Sequence, residues 1–323
     1  MYSRLFSLTT CLRLLLPYLL VLPVDAQHSE NRSTYSENVG LDVANLRNQA
    51  ARGDAMANYQ LGYLYMTGTG VSLDYAEAAK FLLAATEQGL PKAEAALGYL
   101  YEHGKGMPRD YRKAYSYYAA AAKKGHLTAA NNLGDIYEHG YGVRRDLRQA
   151  EDWYRYAAER GNPIAQCNLG ALYFRGRAVT QSYAQAAEWF HKAAETGYAP
   201  GQQILAWMYF NGKGVPRDYG MAVHWLQLAA HAGEPLAQLD LGYLYEQGQG
   251  VPLEYVMAYM WYEAAQAGGE KRAGERLRKL SKVMTKEQIS RAETSFQALS
   301  ISTRRGEAIE QSQSIGNAFH REP

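Results

Sequence analysis

"GYLYEHGKGMPRD", residues 98–110, sets a glutamate beside a histidine, a lysine between two glycines, and then an arginine and an aspartate. Read alone, that is the composition of a site. "GDIYEHGYGVRRD", residues 134–146, keeps the frame at a step of 36 and drops the lysine. A motif that recurs at fixed spacing is first a repeat, and a repeat decides the fold before any chemistry is sought. The step extends in both directions. Glycine stands at Gly62, Gly98, Gly134, Gly170 and Gly242, with Ala206 in the remaining place. Leucine keeps the same step from Leu61 to Leu241, tyrosine from Tyr65 to Tyr245, and glycine again from Gly89 to Gly269. Six complete copies follow one another without insertion.

Each copy reads as two helices. Ala57, Leu61, Leu64 and Tyr65 share one face at helical spacing, which predicts a first helix over 55–66. Pro91, Pro163 and Pro235 sit at first-turn positions, where a missing N–H costs nothing. Paired glycines, as in "GKGM", then break the helix by taking left-handed backbone conformations. Asp74, Asp110, Asp146 and Asp218 precede alanine-rich runs and read as N-caps of the second helix, which ends at the Gly89 row. A glycine inside the first helix costs roughly 1 kcal/mol against alanine, so its recurrence predicts close helix approach. The Ala78, Ala114, Ala150, Ala186, Ala222 and Ala258 row is the expected small partner. Bulk is expected from Phe81, Tyr117, Trp153, Trp189, Trp225 and Trp261, filling the space between successive pairs.

The pattern "A-x-x-x-LG-x-LY-x-x-G-x-GV-x-x-D-Y-x-x-A-x-x-W-x-x-x-AA-x-x-G", nearly whole at 201–233 and 237–269, resembles the Sel1-like repeat, a relative of the tetratricopeptide repeat. The resemblance implies an all-α fold, a right-handed α-solenoid of six 36-residue helix pairs. Periodicity alone already gives a helical solenoid. Its apolar ends need covers. Residues 41–52 supply a lone helix before the first copy, and 270–282 one more first helix after the last. Thr285 with Gln288 forms a capping box that opens a closing helix.

The expected organisation is a signal peptide over 1–26, a flexible segment over 27–40, the solenoid over 41–301 and a disordered tail over 302–323. Arg4 and Arg13 precede the apolar run Leu14 to Leu22, and Val24-Asp25-Ala26 ends in small residues suited to a signal peptidase. That run is too short to span a bilayer, so the expectation is an exported, periplasmic or secreted chain with no membrane span after cleavage. Cys167 is then the one remaining cysteine, which excludes the internal disulfides of cysteine-rich secreted relatives.

Net charge is +2 and implies no nucleic acid and no anionic membrane. Lys271, Arg272, Arg276, Arg278, Lys279, Lys282 and Lys286 cluster at the C-terminal cap and read as a solvated face, with a docking patch as the alternative. The mature chain holds no S-x-x-K, K-T-G, G-x-S-x-G, H-E-x-x-H or C-x-x-C. The two G-K-G stretches lack the strand and the Lys-Ser/Thr ending of a phosphate loop. Glu102, His103, Glu138 and His139 form no complete ligand set along the repeat and read as solvated loop-edge residues. No enzyme, cofactor or metal is expected.

What varies while the frame stays fixed is a stripe on the first helices, expected to be exposed. It presents Tyr59 and Tyr63, then Tyr99, then Asn131 and Asp135, then Arg175, then Trp207 and Phe210, then Tyr243. Rigid aromatics among polar groups suit a protein or peptide partner held in a groove. The competing reading packs Tyr63, Tyr99, Trp207 and Tyr243 between repeats. The expected function is that of a monomeric, non-catalytic protein-protein interaction scaffold in the cell envelope or at a host interface. The resemblance implies such settings, since relatives are associated with envelope assembly, control of signalling proteins and host contact. The alternatives are a cell-wall or β-lactam-active enzyme, as attributed to cysteine-rich relatives, and an oligomerising spacer.

Overall fold

The computed structural model describes residues 43–299. The expected signal peptide, the segment over 27–40 and the tail over 302–323 lie outside the described residues. Among those described, every regular element is a helix. A lone helix α1 (Val43–Ala51) precedes the six pairs. These are α2 (Ala55–Thr67) with α3 (Tyr75–Glu87), α4 (Pro91–His103) with α5 (Tyr111–Lys123), and α6 (Leu127–His139) with α7 (Leu147–Glu159). Then come α8 (Pro163–Arg175) with α9 (Tyr183–Glu195), α10 (Ala199–Asn211) with α11 (Tyr219–His231), and α12 (Pro235–Gln247) with α13 (Tyr255–Ala267). Helix α14 (Lys271–Leu280) and a last helix α15 over 286–299 follow.

The chain forms two compact units, one ending at Leu169 and one beginning at Gly170. Within the first, each helix from α1 to α7 packs on its neighbour in sequence; within the second, the same holds from α9 to α14.

The helix ends obey the sequence. Asp74, Asp110 and Asp146 each accept two backbone N–H bonds from the first turn of the following helix, and Asp218 accepts one from Met221. Ser182 takes that role before α9. Thr285 and Gln288 exchange reciprocal bonds at 2.9 and 3.2 Å, closing the expected capping box. Left-handed Gly104 (φ 64°) caps α4, its N–H donating to the Leu100 carbonyl. Gly106 (φ 70°) has a second reason to be glycine, because a Cβ there would stand 2.3 Å from the Tyr75 carbonyl carbon.

The mid-helix glycines make room for something larger than the alanines expected opposite them. A Cβ on Gly98 would meet the Tyr118 ring at 2.6 Å, one on Gly134 the Tyr154 ring at 2.5 Å, and one on Gly242 the Tyr262 ring at 2.8 Å. Leu82 and Phe190 oppose Gly62 and Gly170. The alanine row contributes backbone at two of these sites, Ala78 O and Ala258 O at 3.2 and 3.1 Å. The deepest bulk is accordingly the row one residue beyond the expected one. Tyr118, Tyr154, Phe190 and Tyr262 are fully buried, whereas the expected row is mixed: Trp225 and Trp261 are buried, but Phe81 and Tyr117 lie half-buried, stacked on Tyr65 and Tyr101.

Candidate functional site

The expected stripe lies on helices that are wrapped more completely than an amphipathic helix would be. Residues 129–136 of α6, 201–208 of α10 and 237–244 of α12 are buried without interruption over two turns. Tyr99, Asn131, Asp135, Trp207 and Tyr243 are therefore buried, not exposed, at 5, 0, 8, 6 and 7 %. The reason is close neighbours on every side: Trp207 meets Phe174 edge-on at 5.8 Å, and the Arg276 guanidinium covers the Tyr243 ring at 5.2 Å. Tyr59, Tyr63, Arg175 and Phe210 keep partial exposure. Tyr59 and Tyr63 sit together, 6.4 Å between rings, while Phe210 rests on Tyr219.

In the N-terminal unit the buried stripe residues join a polar seam. Asn168 donates to Asn131 at 2.9 Å, Asn131 to Asn132 at 3.3 Å, and Asn132 bonds the Tyr118 hydroxyl. Tyr118 donates to Glu102 Oε2 at 2.7 Å. The seam thus links side chains of three successive repeats, each satisfied by the next, as buried polar groups require. Burial, with Asp135 nearby, raises the Glu102 carboxyl to about 7 against the opposing Tyr118 bond. Beside it His139 Nδ1 lies 2.9 Å from Asp135 Oδ1, and that carboxylate raises the imidazole to about 9. His103, its counterpart one repeat earlier, bonds the Tyr99 carbonyl at 3.0 Å, and burial lowers its pKa. Lys105 crosses to the Tyr99 hydroxyl at 2.7 Å and the Tyr75 hydroxyl at 3.4 Å.

The glutamates of the opening motif are not solvated loop-edge groups. Glu102, Glu138 and Glu246 accept from the buried hydroxyls of Tyr118, Tyr154 and Tyr262 at 2.7, 3.1 and 2.5 Å. Copies without that tyrosine carry no glutamate: Met66 accompanies Leu82, Phe174 accompanies Phe190, and Phe210 accompanies Leu226. Among the described residues no group of three or more His, Cys, Asp or Glu is arranged to hold a metal. Cys167 is buried, and burial pushes its thiol well up. Much of the basic cluster at the C-terminal cap is paired, Arg272 with Glu270, Arg276 with Glu246 and Lys279 with Glu275.

Two polar features escaped the sequence reading. Gln166, Gln202 and Gln238 each send a buried amide to the carbonyl eight residues earlier, on Ala158, Ala194 and Ala230, at 3.1–3.2 Å. Glu94 holds the same place and pairs with Lys124 at 2.7 Å. The signal was a polar row at the repeat step, Asn58, Glu94, Gln166, Gln202 and Gln238, interrupted by Ala130. In the C-terminal unit Gln203 bonds buried Asp240, whose carboxyl burial raises to about 7.

The chain belongs to the Sel1 repeat family, whose repeat is matched at residues 55–90, 91–126, 127–162, 163–198, 199–234 and 235–269. It is similar to a Sel1 repeat protein of Oxalobacter formigenes, with 31 % identity and a TM-score of 0.62, over 69 % of this chain and 89 % of that one. A protective antigen of uropathogenic Escherichia coli is 25 % identical over 84 % of this chain and 81 % of its own, with a TM-score of 0.31. The immunity protein Pa5087 of Pseudomonas aeruginosa is 21 % identical over 66 % and 81 %, with a TM-score of 0.42. No curated protein matches the chain. No helix among the described residues is long and apolar enough to cross a membrane.

Proposed function

We propose that this chain is an exported, non-catalytic, monomeric scaffold that binds a protein or peptide in the cell envelope or at a host interface. The observation that carries the reading is the division of labour within each copy. The acids that look catalytic, Glu102, Glu138 and Glu246, are bonded to structural tyrosines. The side chains that change from copy to copy stand on the first helix of each pair. Family membership supports an interaction role, and the charged, small-residue pattern over 1–26 supports export.

Among the nine stripe residues, contact with a partner falls to those with accessible surface: Tyr59 and Tyr63 in the N-terminal unit, Arg175 and Phe210 in the C-terminal unit. Tyr99, Asn131, Asp135, Trp207 and Tyr243 are buried and belong to the packing, Tyr59 resting against the cluster that holds Tyr99. Partly exposed aromatics on a rigid element give contact area at little entropic cost.

Photo-crosslinking tests this. A benzophenone side chain at Tyr59, Tyr63 or Phe210 is expected to capture one partner in cells, competed by excess unmodified protein. The same group at Arg112, on the outer surface of α5, captures none. Equal capture from Arg112 removes the stripe as the binding surface.

A further inference from the structure

The whole-chain charge of +2 hides a local excess. The turn of the second copy and the start of α5 hold Lys105, Arg109, Arg112 and Lys113; the equivalent stretch of the third copy holds Arg144, Arg145 and Arg148. All but Lys105 are exposed. The acids interspersed with them are Asp110 and Asp146, each engaged as a helix cap by two backbone N–H groups at 3.0–3.2 Å. Among the described residues none of these cations forms an ion pair with a carboxylate. Several are held by other means: Lys105 by two tyrosine hydroxyls, Arg109 and Lys113 over the rings of Tyr111 and Tyr101 at 5.3 and 5.0 Å, and Arg145 by the Glu138 carbonyl at 2.8 Å. The C-terminal cap differs, since Arg272, Arg276 and Lys279 there each meet a glutamate. The two basic stretches adjoin. The Tyr141 ring stacks on Tyr111 at 5.0 Å, and a Cβ on Gly142 would stand 2.9 Å from the Arg112 nitrogen, so the third copy's turn rests on the start of α5. The second copy's turn rests in the same way on the start of α3, through Gly106 and Tyr75. There Leu73, 44 % exposed, holds the position that Arg109 and Arg145 hold in the next two copies.

We infer that this edge of the N-terminal unit docks on an anionic lipid surface, with its arginines and lysines against phosphate headgroups and Leu73 and Tyr141 at the apolar boundary. Cations on successive turns form an outward row, which fits a charged plane rather than an enclosed ligand, and each adds to the attraction of such a surface. An exposed leucine and tyrosine among them suit the headgroup boundary, which accepts an apolar body beside a polar tip. A nucleic acid makes no use of Leu73, and a chain of net charge +2 lacks the broad basic footprint that nucleic-acid binding needs. Summing charge over the whole sequence conceals this edge because the acids that balance it lie elsewhere in the chain.

The test sediments the chain from Gln27, which keeps every described residue and omits the apolar run Leu14 to Leu22, with vesicles of phosphatidylcholine alone or mixed with phosphatidylglycerol. Binding to the mixed vesicles and not to phosphatidylcholine alone is expected. R109Q/R144Q/R148Q is expected to lose at least about tenfold in vesicle affinity. R52Q/K123Q/R160Q removes the same charge from the opposite turns of the same unit and is expected to lose about twofold or less. All six side chains are exposed, so neither variant opens the core. A peptide of alternating glutamate and serine and an oligothymidylate, supplied at equal negative charge, are expected to bind more weakly than the mixed vesicles. No binding to mixed vesicles, equal losses in the two variants, or tighter binding of the peptide or the oligonucleotide overturns the inference. The edge lies apart from the stripe of the first helices, so the two stand or fall independently; a lipid at Arg112 also leaves no protein there for the benzophenone control to capture.

Discussion

The second and third copies of the repeat differ from the fifth at a linked pair of positions, one half-buried on the first helix and one fully buried on the second. Where the second and third hold Glu102 with Tyr118 and Glu138 with Tyr154, the fifth holds Phe210 with Leu226. The backbone elements are the same thirteen-residue helices in each. The difference teaches that "Glu-His" in the opening motif is a consequence of what lies across the helix pair. A buried tyrosine hydroxyl needs an acceptor, and a glutamate there without a donor would be an unpaired buried acid. The two residues change together or not at all. The histidine beside them shows the converse. His139 is held charged by Asp135 four residues earlier, whereas His103 has Tyr99 at that position and burial drives it toward neutrality. Rows shared by the copies build the scaffold, and stripe residues set local charge.

The largest expected effect is steric. Gly134→Val drives side-chain atoms into the Tyr154 ring, which would stand only 2.5 Å from the first added carbon, and is expected to cost at least about 3 kcal/mol in urea denaturation. Gly170→Ala is milder, about 1 kcal/mol or less, because the Phe190 ring lies 3.1 Å from the added carbon. Equal losses at the two sites would mean that ring clearance does not govern the row.

The buried acids and His139 make stability depend on pH. Burial raises Glu102 from 4.5 and Asp240 from 3.8 to about 7, so each binds a proton more readily folded than unfolded. Their stabilisation is complete below the unfolded values and is lost as pH rises through about 7, by about 1–3 kcal/mol each. His139, raised from 6.5 to about 9, repeats the pattern higher up: full stabilisation below 6.5, lost as pH rises through about 9. Thermal melting is therefore expected to fall in two steps between pH 5 and pH 9.5. Glu102→Gln shallows the lower step and Asp135→Asn the upper one. A melting temperature that rises across this range would contradict both assignments.

The smallest expected effect lies at Ala178, which occupies left-handed space (φ 65°) where the other copies place glycine. Left-handed backbone costs an L-residue roughly 1–2 kcal/mol, so Ala178→Gly is expected to stabilise by about 1 kcal/mol after glycine's extra chain entropy. Calorimetric melting checks it.

Much of the fold was legible because its signals are local and repeated six times. Helix starts at Asp74 or Pro91 and ends at Gly104 are set by caps that the chain carries beside them. The neighbour of Gly98, expected at Ala114, is Tyr118 one turn further on, and the bulky row was placed one residue early for a physical reason. Adjacent positions such as Tyr117 and Tyr118 are both aromatic, and sequence alone does not say which one points inward. The stripe residues were legible as a varying set but not as a buried one. Amphipathic spacing assumes a free side, and α6, α10 and α12 have none over two turns. The Asn168–Asn131–Asn132–Tyr118–Glu102 seam joins residues of three repeats, so no single window of sequence contains it.

Whether the glutamate row depends on the tyrosine row is read from the coupling of Glu138 to Tyr154. A double-mutant cycle in urea denaturation, with Glu138→Met and Tyr154→Leu, copies the Met66 and Leu82 pair of the first repeat into the third. Each single change is expected to cost about 2 kcal/mol, by orphaning the buried partner or by opening a cavity. The double variant is expected to recover at least about 1 kcal/mol of the sum. Strictly additive losses would contradict the account, since the two rows would then be independent and the glutamate free for another task.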